Sequence, residues 1–170
     1  MGPPFVGKSY WAKKISKELN AECVDLDHVI EEFAAKEVSK IFEEGGETYF
    51  RKIESRCLRS LTESRVNRFY VLATGGGVVL SLENRKFLKE HSRILFLDTD
   101  FDNLPVNSKV EILGTSRPLF KKSKNLNDLK KQWTELRDER LTHYQELAPS
   151  ITPLELEKKG ATFFNGLRKF

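Results

Sequence analysis

The eight residues Gly2-Pro3-Pro4-Phe5-Val6-Gly7-Lys8-Ser9 restrict this chain more than any other stretch. They match G-x-x-x-x-G-K-[ST], a loop that folds around phosphate groups. Its glycines let the backbone curl until successive N–H groups point inward and form an anion nest. The helix that follows aims its positive dipole end at the same point. Lys8 is placed to reach the outer phosphates, and the Ser9 hydroxyl to hold Mg²⁺. The competing reading is a Gly/Pro-rich disordered start. Against it, Trp11, Ile15 and Leu19 recur at i, i+4 and i+8 with Ala12 beside them, while Lys13, Lys14 and Lys17 face elsewhere. That pattern predicts an amphipathic helix opening at Gly7 or Lys8 and stopping near Asn20. A loop of this kind is fed by a buried parallel strand, yet only Met1 precedes Gly2.

A chain of 170 residues is expected to form one domain. With 29 basic and 25 acidic residues its net charge is +4, mild enough to suit anionic small substrates, and no basic tract insists on nucleic acid. Cys23 and Cys57 stand 34 positions apart without metal-ligand spacing, which predicts two buried free thiols. There is no apolar run of about 18 residues and no leader pattern, so the expected location is the cytoplasm.

Cys23-Val24-Asp25-Leu26-Asp27 reads as a short strand after the first helix. Residues i and i+2 leave a strand on one side, so Asp25 and Asp27 are expected to project together at its carboxyl end, where open α/β sheets bind ligands. One carboxylate would serve a metal and the other take a proton from a substrate hydroxyl; the alternative is that Asp27 merely caps the next helix. Residues 29–42 read as helix in two pieces, stopped by Gly45-Gly46. Phe50, Ile53, Cys57 and Leu61 define the buried stripe of a helix from about Thr48 to Ser64. Arg51 lies off that stripe with Glu54 three residues on. The pair is either a solvated ion pair or a guanidinium held by Glu54 and aimed at a ligand carboxylate.

Phe69 to Thr74 is apolar on both faces, as a buried parallel strand must be. Gly75-Gly76-Gly77 follows at once, and three glycines there imply a tight turn or backbone that passes close to a ligand. A helix from Ser81 or Leu82 to about His91 leads to a second core strand, Ile94 to Leu97. Phe101 to Lys124 loses periodicity and reads as a lid, with Arg117 inside it as a mobile arginine able to close over a transferring phosphoryl group. Asn125 or Asn127 caps a helix to about Leu147. Along its apolar face the steps Leu126, Leu129, Trp133 and Leu136 continue to Arg140 and Tyr144. An inward arginine is costly unless an anion meets it, so Arg140 and Arg51 together suggest a clamp for an acid. Ile151 marks a short last strand, and residues 153–170 a weak helix interrupted by Gly160.

The motifs GPPFVGKS, DLDHVIEE, IFEEGGETYFRKIE, LATGGGVV, RPLF and RDERLTHYQELA, in this order, resemble the shikimate kinase family from Gly2 to about Ala148. The resemblance implies an α/β, three-layer P-loop kinase fold: a parallel five-stranded sheet in the order 2-3-1-4-5 with flanking helices. It implies one domain over 1–170, with a substrate-binding helical subregion at about 28–64 and a lid at about 109–124. It also implies transfer of the ATP γ-phosphate to the 3-hydroxyl of shikimate, in aromatic amino-acid biosynthesis, by a monomer that binds neither nucleic acid nor membrane. Carried over by position, Gly2, Pro3, Pro4, Phe5, Val6, Gly7, Lys8, Ser9 and Tyr10 would surround the nucleotide phosphates. Ser9 and Asp25 would hold Mg²⁺, and Asp27 would bind substrate and act as base. Arg51 and Arg140 would clamp the carboxylate, with Gly75, Gly76 and Gly77 giving room for the ring. Arg117 would touch the γ-phosphate.

Two departures accompany the resemblance. The family's first, central strand is missing before Gly2. Strands lie about 4.8 Å apart, so its absence is expected to leave a slot near 10 Å wide between Phe69–Thr74 and Ile94–Leu97. Each buried unpaired backbone group there costs about 1–3 kcal/mol, against a net stability of about 5–15 kcal/mol. The expectation is a natural chain that begins upstream with about five or six more apolar residues. In addition, only Lys109 stands where the family often sets an arginine against adenine. The remaining alternatives are a gluconate or nucleoside monophosphate kinase, and a catalytically impaired nucleotide-binding module.

Overall fold

The computed structural model describes residues 1–64, 68–105, 120 and 125–167. The elements run α1 (Lys8–Glu18), β1 (Glu22–Asp25), α2 (Leu26–Ala34), α3 (Val38–Ser64), β2 (Tyr70–Ala73), α4 (Leu82–His91), β3 (Phe96–Leu97), α5 (Leu126–Leu147), β4 (Ser150–Ile151) and α6 (Pro153–Leu167). Short 3₁₀ turns occupy Val78–Leu80 and Phe101–Asn103. The expected lid, with Lys109 and Arg117, lies outside the described residues except for Phe120, whose ring meets Phe5 edge-on at 5.8 Å.

Local chemistry accounts for most boundaries. Gly7 caps α1 with φ 86°, and Asn20, at φ 46°, turns the chain out of that helix. The Ser81 side chain caps α4 through the Asn84 amide, and Asn125 caps α5 through that of Asp128. The expected two-part helix over 29–42 is present: Ala35, at φ 50°, ends α2, and α3 starts at Val38. Gly46 (φ 70°, ψ −177°) and Gly160 (φ 60°, ψ −165°) break α3 and α6 at the predicted glycines.

The strands form two separate parallel pairs. β1 runs beside β2 with Glu22 opposite Tyr70 and Asp25 opposite Ala73; β3 runs beside β4 with Phe96 opposite Ser150. Among the described residues these are two two-stranded sheets rather than one five-stranded sheet. The apolar interior divides the same way. One cluster, around Leu26, Ile30, Ile41, Phe50 and Leu58, lies under α2 and α3. The other, around Trp11, Leu19, Leu129, Trp133 and Leu156, lies between α1, α5 and α6. Each fully buried Leu or Ile contributes about 1.5–3 kcal/mol.

Three expectations need correction. The strand expected at Phe69–Thr74 spans only Tyr70–Ala73, and of those four residues only Ala73 is buried, because β2 borders a cavity of about 530 Å³. The strand expected over Ile94–Leu97 is paired only at Phe96–Leu97. Cys23 is exposed, since β1 turns it toward solvent; Cys57 is buried, and both thiols are free.

Candidate active site

The Gly2–Ser9 loop is anchored at several points by the protein itself. The Trp133 indole donates to the Pro4 carbonyl over 2.9 Å from the buried face of α5. Lys8 Nζ donates to the Pro3 carbonyl over 2.6 Å, so its ammonium is folded back across the loop. The first residue of α1 is therefore also the loop's cation, which puts a full charge beside the positive end of the helix dipole.

Ser9 and Asp25 meet. The Ser9 hydroxyl donates to Asp25 Oδ2 over 2.7 Å, while Asp25 Oδ1 accepts from the Asp27 amide at 3.1 Å. Asp25 ends β1 and is the N-cap of α2; Asp27 lies in the first turn of that helix. The expected picture of two carboxylates leaving one strand is thus corrected. The strand passes directly into a helix at Leu26, and Asp25, not Asp27, is the cap, accepting from the Asp27 amide. Neighbouring His28 is exposed and pairs with Glu32.

A second group of charges gathers across the glycine run. Glu54 is fully buried, with Oε2 taking the Arg51 Nη1 proton at 2.8 Å and Oε1 without a partner. Burial raises its pKa; Arg51 opposes the rise, and the Asp27 carboxylate adds to it. Burial also works against the Arg51 charge, but Glu54 and Glu47 outweigh it and raise the guanidinium's pKa. Arg140 is buried, 4% exposed, and its Nε has no partner. Burial lowers its pKa, and the charge of Arg51 lowers it further. Two guanidiniums near each other, one holding an unused buried donor, favour an added anion.

The glycines allow this crowding. A Cβ on Gly75 would stand 3.1 Å from Asp27 Oδ1 and 3.2 Å from Glu54 Oε1, and one on Gly77 would overlap the Arg51 guanidinium at 2.0 Å. The backbone here passes against the site's own charged groups. A Cβ on Gly76 would lie 3.2 Å from the Gly2 carbonyl, so the glycine run touches both the Gly2–Ser9 loop and the Asp27, Arg51 and Glu54 charges.

The shikimate kinase family model matches residues 4–164.

The chain belongs to the shikimate kinase family.

A shikimate kinase of Dictyoglomus turgidum is 38% identical over 149 residues, covering 88% of this chain and 82% of that one. One from Legionella pneumophila strain Corby is 39% identical over 148 residues, 87% and 79% of the respective chains. In structure, the shikimate kinase of Acinetobacter baumannii in complex with shikimate superposes with a TM-score of 0.76 at 29% identity, over 98% of this chain and 92% of that one. The fold is that of the P-loop kinases. Among the described residues no helix is long and apolar enough to cross a membrane.

Several contributors escaped the sequence reading of this shikimate kinase family member. Trp133 was legible as core but not as an anchor of the loop. Tyr144, fully buried and stacked on Phe96 at 4.8 Å, donates its hydroxyl proton to the Gly76 carbonyl. Burial raises its pKa, so it stays a donor. Asp98 grips Arg137 through both oxygens, at 2.8 and 2.6 Å, and so ties the end of β3 to α5. A polar atom on an apolar helical stripe was the available signal for Trp133 and Tyr144; nothing in the sequence pairs Asp98 with Arg137.

Proposed function

We propose that this chain is a shikimate kinase, transferring the γ-phosphate of ATP to the 3-hydroxyl of shikimate in aromatic amino-acid biosynthesis. The observation that carries the reading is the shared glycine run. Gly75 and Gly77 border Asp27, Glu54 and Arg51, while Gly76 borders the phosphate loop at Gly2. A phosphoryl donor on the loop and a ring acid held by Arg51 and Arg140 would therefore meet at Asp27.

Residue roles follow from that placement. Arg51, pre-oriented by Glu54 and Glu47, and Arg140, with its unused Nε, bind the substrate carboxylate by charge-assisted hydrogen bonds. Asp27 orients the acceptor hydroxyl and takes its proton. The nest from Gly2 to Tyr10 holds the phosphates. Lys8 exchanges the Pro3 carbonyl for phosphate oxygens, and Arg117 joins it as charge spreads over the transferring group. Lys109 would contact the nucleotide. Closure of the 109–124 lid excludes water that would otherwise hydrolyse ATP. A hydroxyl and a carboxylate in contact form an oxygen donor set that suits a hard cation retaining most of its waters; Ser9 and Asp25 would hold Mg²⁺, which when bound supplies neutralising charge to the phosphates. On this reading the enzyme is a cytoplasmic monomer of one domain. Its sheet follows the family order 2-3-1-4-5, in which β1, β2, β3 and β4 are the second, third, fourth and fifth strands.

The deciding experiment is ADP release coupled to NADH oxidation, with shikimate, gluconate and dCMP supplied in parallel. Turnover with shikimate alone is expected. Turnover with gluconate or dCMP and none with shikimate would replace this reading with another small-molecule kinase.

A further inference from the structure

The Gly2–Ser9 loop takes positive φ at Gly2, Phe5 and Gly7. Gly7, at φ 86°, does so freely because it has no Cβ. Phe5, at φ 66°, does not. A bulky L-residue in the left-handed region sets its Cβ against a carbonyl oxygen. Left-handed residues set among right-handed ones turn successive N–H groups toward one point, the geometry of an anion nest. Phe5 therefore holds, at a steric cost, a position in the loop that glycine would hold without one.

The side chain of Phe5 offsets that cost. It is partly buried against the cluster that contains Val6, Phe101, Leu104, Phe120 and Trp133. Its ring meets that of Phe120 edge-on, with centroids 5.8 Å apart and planes at 60°, an arrangement that the ring quadrupoles favour. Phe120 is itself 4% exposed, so its ring is a fixed wall. The loop is tied on both sides of Phe5, by the Trp133 bond to the Pro4 carbonyl and by the buried Val6 side chain. Those ties fix where the loop lies; the ring contact bears on the φ of Phe5 itself. No step of phosphoryl transfer uses Phe120.

We propose that Phe120 is a positioning residue for nucleotide binding: its buried ring docks the Phe5 ring and keeps Phe5 in the left-handed conformation that shapes the phosphate nest. Without that contact Phe5 relaxes toward negative φ, its peptide planes turn, and the loop loses part of its grip on phosphate. The proposal rests on the reading of Gly2–Ser9 as the nucleotide site and names what sets that loop's shape. Nucleotide affinity then depends on Phe120 only while position 5 carries a side chain.

The test is a double-mutant cycle read by isothermal titration with ADP and, separately, with shikimate. Phe120→Ala is expected to weaken ADP binding at least about tenfold, the scale of a left-handed residue left without support, and to change the shikimate Kd less than about twofold. Phe120→Leu keeps apolar bulk at the buried position and guards against loss of the fold; it should weaken ADP binding about threefold. In a Phe5→Gly background, where position 5 takes positive φ unaided, either change at Phe120 should alter the ADP Kd less than about twofold. A loss that persists in the Phe5→Gly background would overturn the proposal, because Phe120 would then act on the nucleotide or on the fold at large. Unchanged ADP affinity in the Phe120 variants would overturn it too, as would equal losses for ADP and shikimate. Titration of the parent chain separates the two readings. Absence of ADP binding there removes the nucleotide site and this proposal with it, whereas ADP binding that ignores Phe120 removes this proposal alone.

Discussion

The Tyr144 hydroxyl donates to the Gly76 carbonyl. One phenol thus fixes the middle of the glycine run, with Arg140 one turn back on the same helix. Tyr144→Phe keeps the ring stacked on Phe96 and removes only this bond. A lost hydrogen bond of about 0.5–1.5 kcal/mol predicts a shikimate KM raised about 3- to 10-fold, with the ATP KM little changed. Steady-state kinetics with each substrate varied in turn will check it. Equal rises in both KM values would mean the hydroxyl serves general packing.

In the proposed function Arg140 meets the substrate carboxylate, and Arg140→Ala would remove that charged partner. Bonds to charged groups are worth about 1.5–3 kcal/mol, so the shikimate KM should rise about 10- to 150-fold while ATP binding holds. Arg140→Lys should recover only part of the loss, because an ammonium lacks the planar fork. Isothermal titration with shikimate and with ADP separates the two effects.

Asp27→Asn leaves the first turn of α2 in place, since Asp25 provides the cap. Turnover is expected to drop at least about 100-fold with ADP affinity retained, as loss of a general base requires. Near-normal turnover in this variant would remove Asp27 from proton transfer. Asp25→Asn should act differently. It weakens the carboxylate that meets Ser9, so activity should require more Mg²⁺, read as a shifted half-saturating concentration.

The buried Met1 ammonium makes stability depend on pH. Its pKa falls from 8.0 to about 5 on folding, so between those values the unfolded chain binds more protons. Stability therefore rises with pH across this window and is penalised in full below about pH 5. At about 1.36 kcal/mol per pKa unit the rise has an upper bound near 4 kcal/mol. Urea melts from pH 5 to 8, on protein whose mass shows Met1 retained, should display it. Nα-acetylation should flatten the curve; an unchanged curve after acetylation would assign the dependence to other groups.

The helices and the ligand loop were legible because their signals are local. Trp11, Ile15 and Leu19 repeat at helical spacing, Gly46 and Gly160 interrupt where glycine must, and the loop motif carries its own chemistry. Arg51 with Glu54 was readable at i, i+3, and Arg140 as an inward charge on an apolar stripe. The placement of Asp25 and Asp27 was not, because alternation along a strand says nothing of where that strand becomes a helix. The pairing of Asp98 with Arg137 and the reach of Trp133 to Pro4 join residues 39 and 129 positions apart, which only tertiary packing determines. The partial exposure of β2 was equally hidden, since an apolar segment reads the same whether its edge meets another strand or a cavity.

Helix α5 carries Trp133 to the Gly2–Ser9 loop, Arg137 to the end of β3, Arg140 to the charges around Arg51 and Tyr144 to the glycine run. From Trp133 to Tyr144 the interval is eleven residues, close to three full turns. Inserting or deleting a single residue there would swing everything beyond it by about 100° around the axis. Two ligand grips are therefore phased by the length of one rod, and that spacing should tolerate substitution far better than any change in count.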